Sequence, residues 1–216
     1  MPIPPKAAAI AAALAVVAGL GAAWYFSAGT GEADVFAQCR RGVVGGGSGA
    51  IGGPFTLVDE NGKTVTDKDV ITKPSLIYFG YTYCPDVCPI DNARNAEAVR
   101  LLDERGYDVT PVFISVDTDR DTPELLREFT DILSPKMIGL TGSKEQIAAA
   151  SKAYRTYFKV QDPGDPYTLI DHSTQTYLVF PDIGFVEFFN RDTSAEDEAD
   201  RVACFVDAWK SEQKQN

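Results

Sequence analysis

The chain has four cysteines and one histidine. Thiol chemistry must therefore draw on Cys39, Cys84, Cys88 or Cys204, and imidazole chemistry on His172 alone. Cys84 and Cys88 stand four residues apart in Cys-Pro-Asp-Val-Cys-Pro. On a roughly helical segment, side chains at i and i+4 share a face with Cβ atoms about 5–6 Å apart. At that separation two sulfurs can close a structural disulfide, act as a catalytic dithiol, or grip one soft metal ion. Pro89 disfavours regular helix just before it. The pair is therefore expected on an irregular turn at a helix entrance, where backbone N–H groups favour thiolate. His172 lies in Ile-Asp-His-Ser-Thr, a loop entering the apolar run 176–180. Two thiolates and one imidazole suit Cu(I), whereas zinc wants a fourth ligand or an open position. Asp171 is the expected partner that orients the imidazole. A usual redox motif has two residues between its cysteines and this one has three, so the dithiol stands as the competing chemistry.

The elements that must position these groups read as an α/β layer fold with a central mixed sheet. Residues 55–65 form a hairpin around Asn61-Gly62. The continuous apolar run 75–81 and VFISV at 112–116 are strands buried on both faces. Between them a helix runs over 91–105, with Ala93, Ala96, Val99 and Leu102 near helical spacing. Thr122-Pro123 opens a helix to 133, MIGLT at 137–141 is a strand, and Ser143 with Gln146 caps a helix over 144–154. TYLVF at 176–180 and FVEFF at 185–189 pair as a hairpin, and Thr193-Ser194 opens a last helix to about 210. The thiols sit between a buried strand and the first long helix, where a thioredoxin-like fold carries its reactive cysteines.

Composition limits the function. Over 216 residues, 44% are hydrophobic and 24% charged, which excludes a disordered, collagen-like or polytopic membrane chain. The net charge of −11 offers no basic face, so no nucleic acid is expected as a partner. Residues 7–26 carry no charge and no Pro, and twenty residues at ~1.5 Å rise span about 30 Å, the hydrocarbon thickness. Lys6 precedes this segment and every acid lies after residue 31. The expectation is a single transmembrane helix acting as a signal anchor, with 1–6 in the cytoplasm and the rest facing the periplasm from a bacterial inner membrane. A cleaved signal peptide is the alternative, although no A-x-A site follows. Gln38 argues against a lipid anchor at Cys39, and the lack of Arg against a mitochondrial transit peptide. Residues 27–53 form a Gly-rich linker, and the folded domain is expected over 54–212. Outside the cytoplasm thiols are commonly oxidised, so Cys39 and Cys204 are expected to pair. Two independent cysteines are the alternative.

Asp117, Asp119, Asp121 and Glu128 imitate a calcium loop, but Thr122 stands where that loop needs Gly. They read as a strand exit and helix cap. Tyr154, Tyr157 and Phe158 read as core. With a single His, a Ser–His–Asp hydrolase would leave the thiol pair unexplained.

Four blocks in order, YFGYTYCPDVCP (78–89), ISVDTDRDTPE (114–124), IGLTGSKEQI (138–147) and DHSTQTYLVFPD (171–182), resemble the SCO/SenC family of copper chaperones over roughly 52–190. The resemblance implies a membrane-tethered thioredoxin-like domain that binds a copper ion through Cys84, Cys88 and His172. It implies delivery to the binuclear copper centre of cytochrome c oxidase subunit II, with an upstream copper donor as a second partner. A thiol–disulfide oxidoreductase that reduces the acceptor's cysteines is the competing function. Residues 90–98, IDNARNAEA, depart from the Thr-rich run found in many members, which bears on partner choice.

Overall fold

A computed structural model describes residues 15–24, 34–41 and 48–214. The chain divides into two compact units, Met1–Ala37 and Gln38–Asn216. In the first, residues 15–24 are helical (α1). Among the described residues no helix is long and apolar enough to cross a membrane. The rest of the anchor expected over 7–26, and the glycines 45–47 of the linker, lie outside the described residues.

The second unit is built on a seven-stranded mixed sheet. In chain order the elements are β1 Thr56–Asp59, β2 Thr64–Thr66, α2 Asp67–Val70, β3 Ser75–Gly80, α3 Val87–Glu104, β4 Thr110–Ser115, α4 Pro123–Leu133, β5 Ile138–Thr141, α5 Lys144–Ala153, β6 Phe158–Val160, β7 Ile170–His172, β8 Thr176–Phe180, β9 Gly184–Phe189 and α6 Ala195–Gln213. The sheet order is β2-β1-β5-β4-β3-β8-β9, and β6 pairs with β7 separately. β3, β4 and β5 are parallel, while β8 pairs antiparallel with both β3 and β9. Every residue of β3, β4 and β8 is buried, as continuous apolar runs in a sheet interior require. Thr122 caps α4 with Pro123 at its first position, and Ser143 with Gln146 closes a capping box on α5.

Three local expectations change. The first long helix starts at Val87, so Cys88 lies in its first turn and Pro89 at its third position. The first helical N–H groups have no partner within the helix, so Pro89 removes no helical hydrogen bond there. The buried stripe of α3 is polar at its start, with Cys88, Asp91, Asn92 and Asn95 leading to Ala98, Val99 and Leu102, while Ala93 is exposed. Of the three aromatics assigned to the core, Tyr154 is buried, Phe158 is half-buried and Tyr157 is exposed.

Cys39 and Cys204 form a disulfide with Cα atoms 5.8 Å apart. It ties Gln38–Arg41 to α6, ahead of Pro54 where folding was expected to begin. Arg40 donates to the Val186 carbonyl, and Arg41 Nη1 meets Asp197 Oδ1 at 2.7 Å.

Candidate metal centre

The buried strand β3 ends at Gly80 and delivers the chain into the turn 81–86, with Cys84 on it. Asp121, at the entrance to α4, anchors this turn. Its carboxylate accepts hydrogen bonds from the Thr82 backbone N–H, the Thr82 hydroxyl and the Ser115 hydroxyl. The acids that imitate a calcium loop therefore diverge. Asp121 is buried under the cysteine turn, Asp117 pairs with Arg120, and Asp119 pairs with Lys144 at the surface. The Arg120 guanidinium lies 5.0 Å from the centre of the Tyr83 ring and 5.8 Å from that of Tyr81.

Cys84, Cys88 and His172 converge, with their ligand atoms all within 4.8 Å of one another. Among the described residues they are the one group of three or more His, Cys, Asp or Glu so arranged. The Cys88 backbone N–H, in the first turn of α3, points at Cys84 Sγ 3.4 Å away. Cys88 Sγ is 3.3 Å from His172 Nε2. Cys84 is 8% exposed, Cys88 is wholly buried and His172 is half-buried.

His172 ends a short strand, β7, and does not lie in a loop. Its Nδ1 is 2.9 Å from the Ser173 carbonyl. A carbonyl only accepts, so Nδ1 carries the proton and Nε2 presents its lone pair towards Cys88. This replaces the expected role of Asp171. Successive side chains of a strand point to opposite faces. Asp171 therefore faces away, exposed, and accepts from Gln161 Nε2 at 2.8 Å. Tyr78 and Tyr81 meet the imidazole edge-on, with ring centres 6.1 and 5.7 Å away. The Tyr81 hydroxyl accepts from the Ile170 N–H.

The two thiols are electrostatically unequal. A hydrogen bond from the Cys88 side chain, with the backbone N–H groups of Cys88 and Asp86, pulls Cys84 down to about 4 against the cost of burial. Its hydrogen bond to Cys84 and its burial push Cys88 far up. The resting pair thus holds one thiolate, on Cys84, and one proton, on Cys88. A soft cation entering here meets a thiolate and an imidazole lone pair at once and displaces a single proton.

Gly80 makes room for this arrangement. A Cβ there would lie 2.8 Å from Cys88 Sγ, 2.9 Å from the Tyr78 ring and 3.0 Å from the Phe113 ring. Gly80, Tyr78, Tyr81, Asp91 and the Ser173 carbonyl were not singled out from the sequence. The period-2 spacing of Tyr78 and Gly80 in a strand that leads into the cysteine turn is the signal that could have found the first two.

A model of the SCO1/SenC family matches residues 45–207. The chain is 62% identical over 211 residues to Protein SenC of Rhodobacter capsulatus, covering 98% of this chain and 95% of that one. It is 41% identical over 157 residues to the mitochondrial SCO1 homolog 1 of Arabidopsis thaliana, covering 72% of this chain but 47%, about half, of that relative. The crystal structure of Arabidopsis thaliana ScoI with copper bound superposes with a TM-score of 0.69 at 40% identity, over 75% of this chain and 99% of that one. BsSco, described with a disulfide switch as a member of the Sco family of cytochrome c oxidase assembly proteins, gives 0.58 at 25% identity, over 72% and 94%. The thioredoxin-like fold with a central mixed sheet is thus the fold of these proteins. With the match spanning most of its length and a Cys-Cys-His group at the helix entrance, the chain belongs to the SCO1/SenC family.

Proposed function

We propose that this protein is a copper metallochaperone, with Cys84, Cys88 and His172 as the ligands of its cargo. The observation that carries the reading is the convergence of two thiols and the chain's single imidazole, already set in the tautomer a metal ligand needs. A three-coordinate site near the surface leaves room for an incoming ligand. Copper leaves by exchange with the acceptor's own thiols, without passing through a free ion. The acceptor in this reading is the binuclear copper centre of cytochrome c oxidase subunit II, and an upstream donor loads the site. Residues 7–26 tether the domain to the bacterial cytoplasmic membrane, facing the periplasm. Support for that placement is the uncharged apolar run together with the confinement of all acids to residues after 31. The test is copper content of the purified full chain. Wild type should hold one copper, and His172→Ala should lose tight binding while its dithiol stays reactive. Unchanged copper affinity in His172→Ala would refute the reading.

A second reading rests on the thiolate at Cys84. Cys84 attacks one sulfur of an acceptor disulfide, forming a mixed disulfide and releasing the acceptor's other sulfur as thiolate. Cys88 then gives up its proton and displaces the remaining acceptor sulfur. The acceptor leaves reduced by two electrons, and Cys84–Cys88 is left oxidised. That exchange does not require His172, which separates the two readings.

A further inference from the structure

We propose that the hydrogen bond between Tyr78 and Asp91 is a register lock that sets α3 on β3, and so places Cys88 Sγ against His172 Nε2. Tyr78 and Asp91 would then be positioning residues of the site. The proposal deepens the copper reading, but its first measurement is made on the metal-free chain.

The geometry is a two-by-two match between a helix face and a strand face. Cys88 and Asp91 are three residues apart on α3 and therefore share a face. Tyr78 and Gly80 are two residues apart on β3 and share a face as well. Cys88 pairs with Gly80, whose missing side chain leaves the sulfur its place. Asp91 pairs with Tyr78, whose hydroxyl donates to Asp91 Oδ2 at 2.9 Å. Both members of this bond are buried, at 0% and 2% exposure. Sliding the helix by one residue would move it about 1.5 Å and rotate it by about 100°. No such slip can keep the Tyr78–Asp91 bond and also leave Cys88 Sγ over Gly80.

Each end of the bond is held from behind. The Tyr78 ring stacks on Phe113 at 6.4 Å with a 13° interplanar angle, which fixes its plane. Its edge meets the His172 imidazole at 82°. Asp91 Oδ1 faces Arg94 Nη1 at 3.7 Å and Arg191 Nε at 3.5 Å. Arg94 is itself committed to Glu198 Oε2 at 3.0 Å, Thr176 Oγ1 at 3.0 Å and the Asn190 carbonyl at 3.3 Å. The polar start of α3 thus anchors the cysteine-bearing turn to β8 and α6. It also gives a physical role to part of the 90–98 segment, whose sequence departs from the Thr-rich run.

The single histidine makes the test direct, because one imidazole gives one set of ring nitrogen signals. The full chain, labelled with 15N in histidine and kept reduced and metal-free in detergent, is compared with Tyr78→Phe, Asp91→Ala and Asp91→Asn. Leu102→Ala, at the far end of the buried face of α3, serves as the destabilised control. Wild type and Asp91→Asn, which keeps an acceptor for the Tyr78 hydroxyl, should show one imidazole locked with its proton on Nδ1. Tyr78→Phe and Asp91→Ala should keep the proton on Nδ1, where the Ser173 carbonyl holds it, but shift the Nε2 signal as Cys88 Sγ moves away, and their Cu(I) affinity against a competing chelator should fall at least about tenfold. Leu102→Ala should lower the unfolding midpoint and leave the imidazole signals unchanged. Wild-type imidazole signals in both Tyr78→Phe and Asp91→Ala would overturn the lock, whatever happens to copper. If Asp91→Ala fails to fold, Tyr78→Phe and Asp91→Asn decide alone. A wild-type chain that binds no copper would refute the copper reading and leave the imidazole result to judge the lock.

Discussion

Cys88 Sγ and His172 Nε2 lie 3.3 Å apart although they stand 84 positions apart in the chain. The contact exists because β3 is flanked by both carriers of the site. Its C-terminal end leads through the cysteine turn into α3, and its other neighbour, β8, is entered directly after β7. A sulfur and an imidazole nitrogen brought together in this way, with a second sulfur beside them, form the donor set from which the following outcomes are derived.

Copper uptake at pH 7 should release one proton per ion, and that proton comes from Cys88. Cys84, pulled down to about 4, is already thiolate, while Cys88 is pushed up and still protonated. Calorimetric titration with Cu(I) in buffers of different ionisation enthalpy measures this number. Release of two protons at pH 7 would show that Cys84 rests as a thiol.

Gly80→Ala should weaken copper binding and destabilise the fold. The added Cβ would meet Cys88 Sγ at 2.8 Å and two aromatic rings at 3.0 Å or less, so the sulfur must move. Overpacking of this kind costs about 1–3 kcal/mol. Denaturant unfolding and a chelator competition on the same sample check both parts. Wild-type values in both would mean that the backbone of β3 yields freely there.

Glu198 should make stability fall as pH rises towards neutrality. It is wholly buried in α6, where burial pushes its carboxyl up from 4.5 to about 7 against the attraction of Arg94 and Arg201. A raised carboxyl binds more protons in the folded state than in the unfolded one. Its stabilising contribution is therefore complete below pH 4.5 and lost as pH rises through about 7. Relative to Glu198→Gln, wild type should lose up to about 1.4 kcal/mol per pH unit across that window. Urea unfolding of both proteins at pH 5, 6, 7 and 8 gives the difference. Parallel curves would show that Glu198 does not titrate there.

Much of this was legible in the sequence because the relevant signals are strong and local. The apolar run of β3, the Asn61-Gly62 turn, the Thr122-Pro123 start and the Ser143/Gln146 box each form the element they specify. The scarcity of thiols and imidazole divides the same way in space, with Cys39–Cys204 joined and Cys84, Cys88 and His172 left together. The β6–β7 hairpin escaped notice because each strand has three residues, too few to show a period of two. With the strand missed, the alternation that turns Asp171 away from the site went unseen. The buried face of α3 escaped because its first half is Asp91, Asn92 and Asn95, and a search for apolar spacing passes over buried polar residues. Asp91 is matched by the Tyr78 hydroxyl and Asn95 by that of Thr176, partners that only the folded chain brings near.

The most direct test of the central claim is X-ray absorption at the copper edge on the loaded full chain, wild type beside His172→Ala. Wild type should show one copper bound by two sulfurs and one imidazole nitrogen, and the imidazole scattering should disappear in His172→Ala. An identical spectrum for the two proteins, with imidazole scattering absent from both, would contradict that claim.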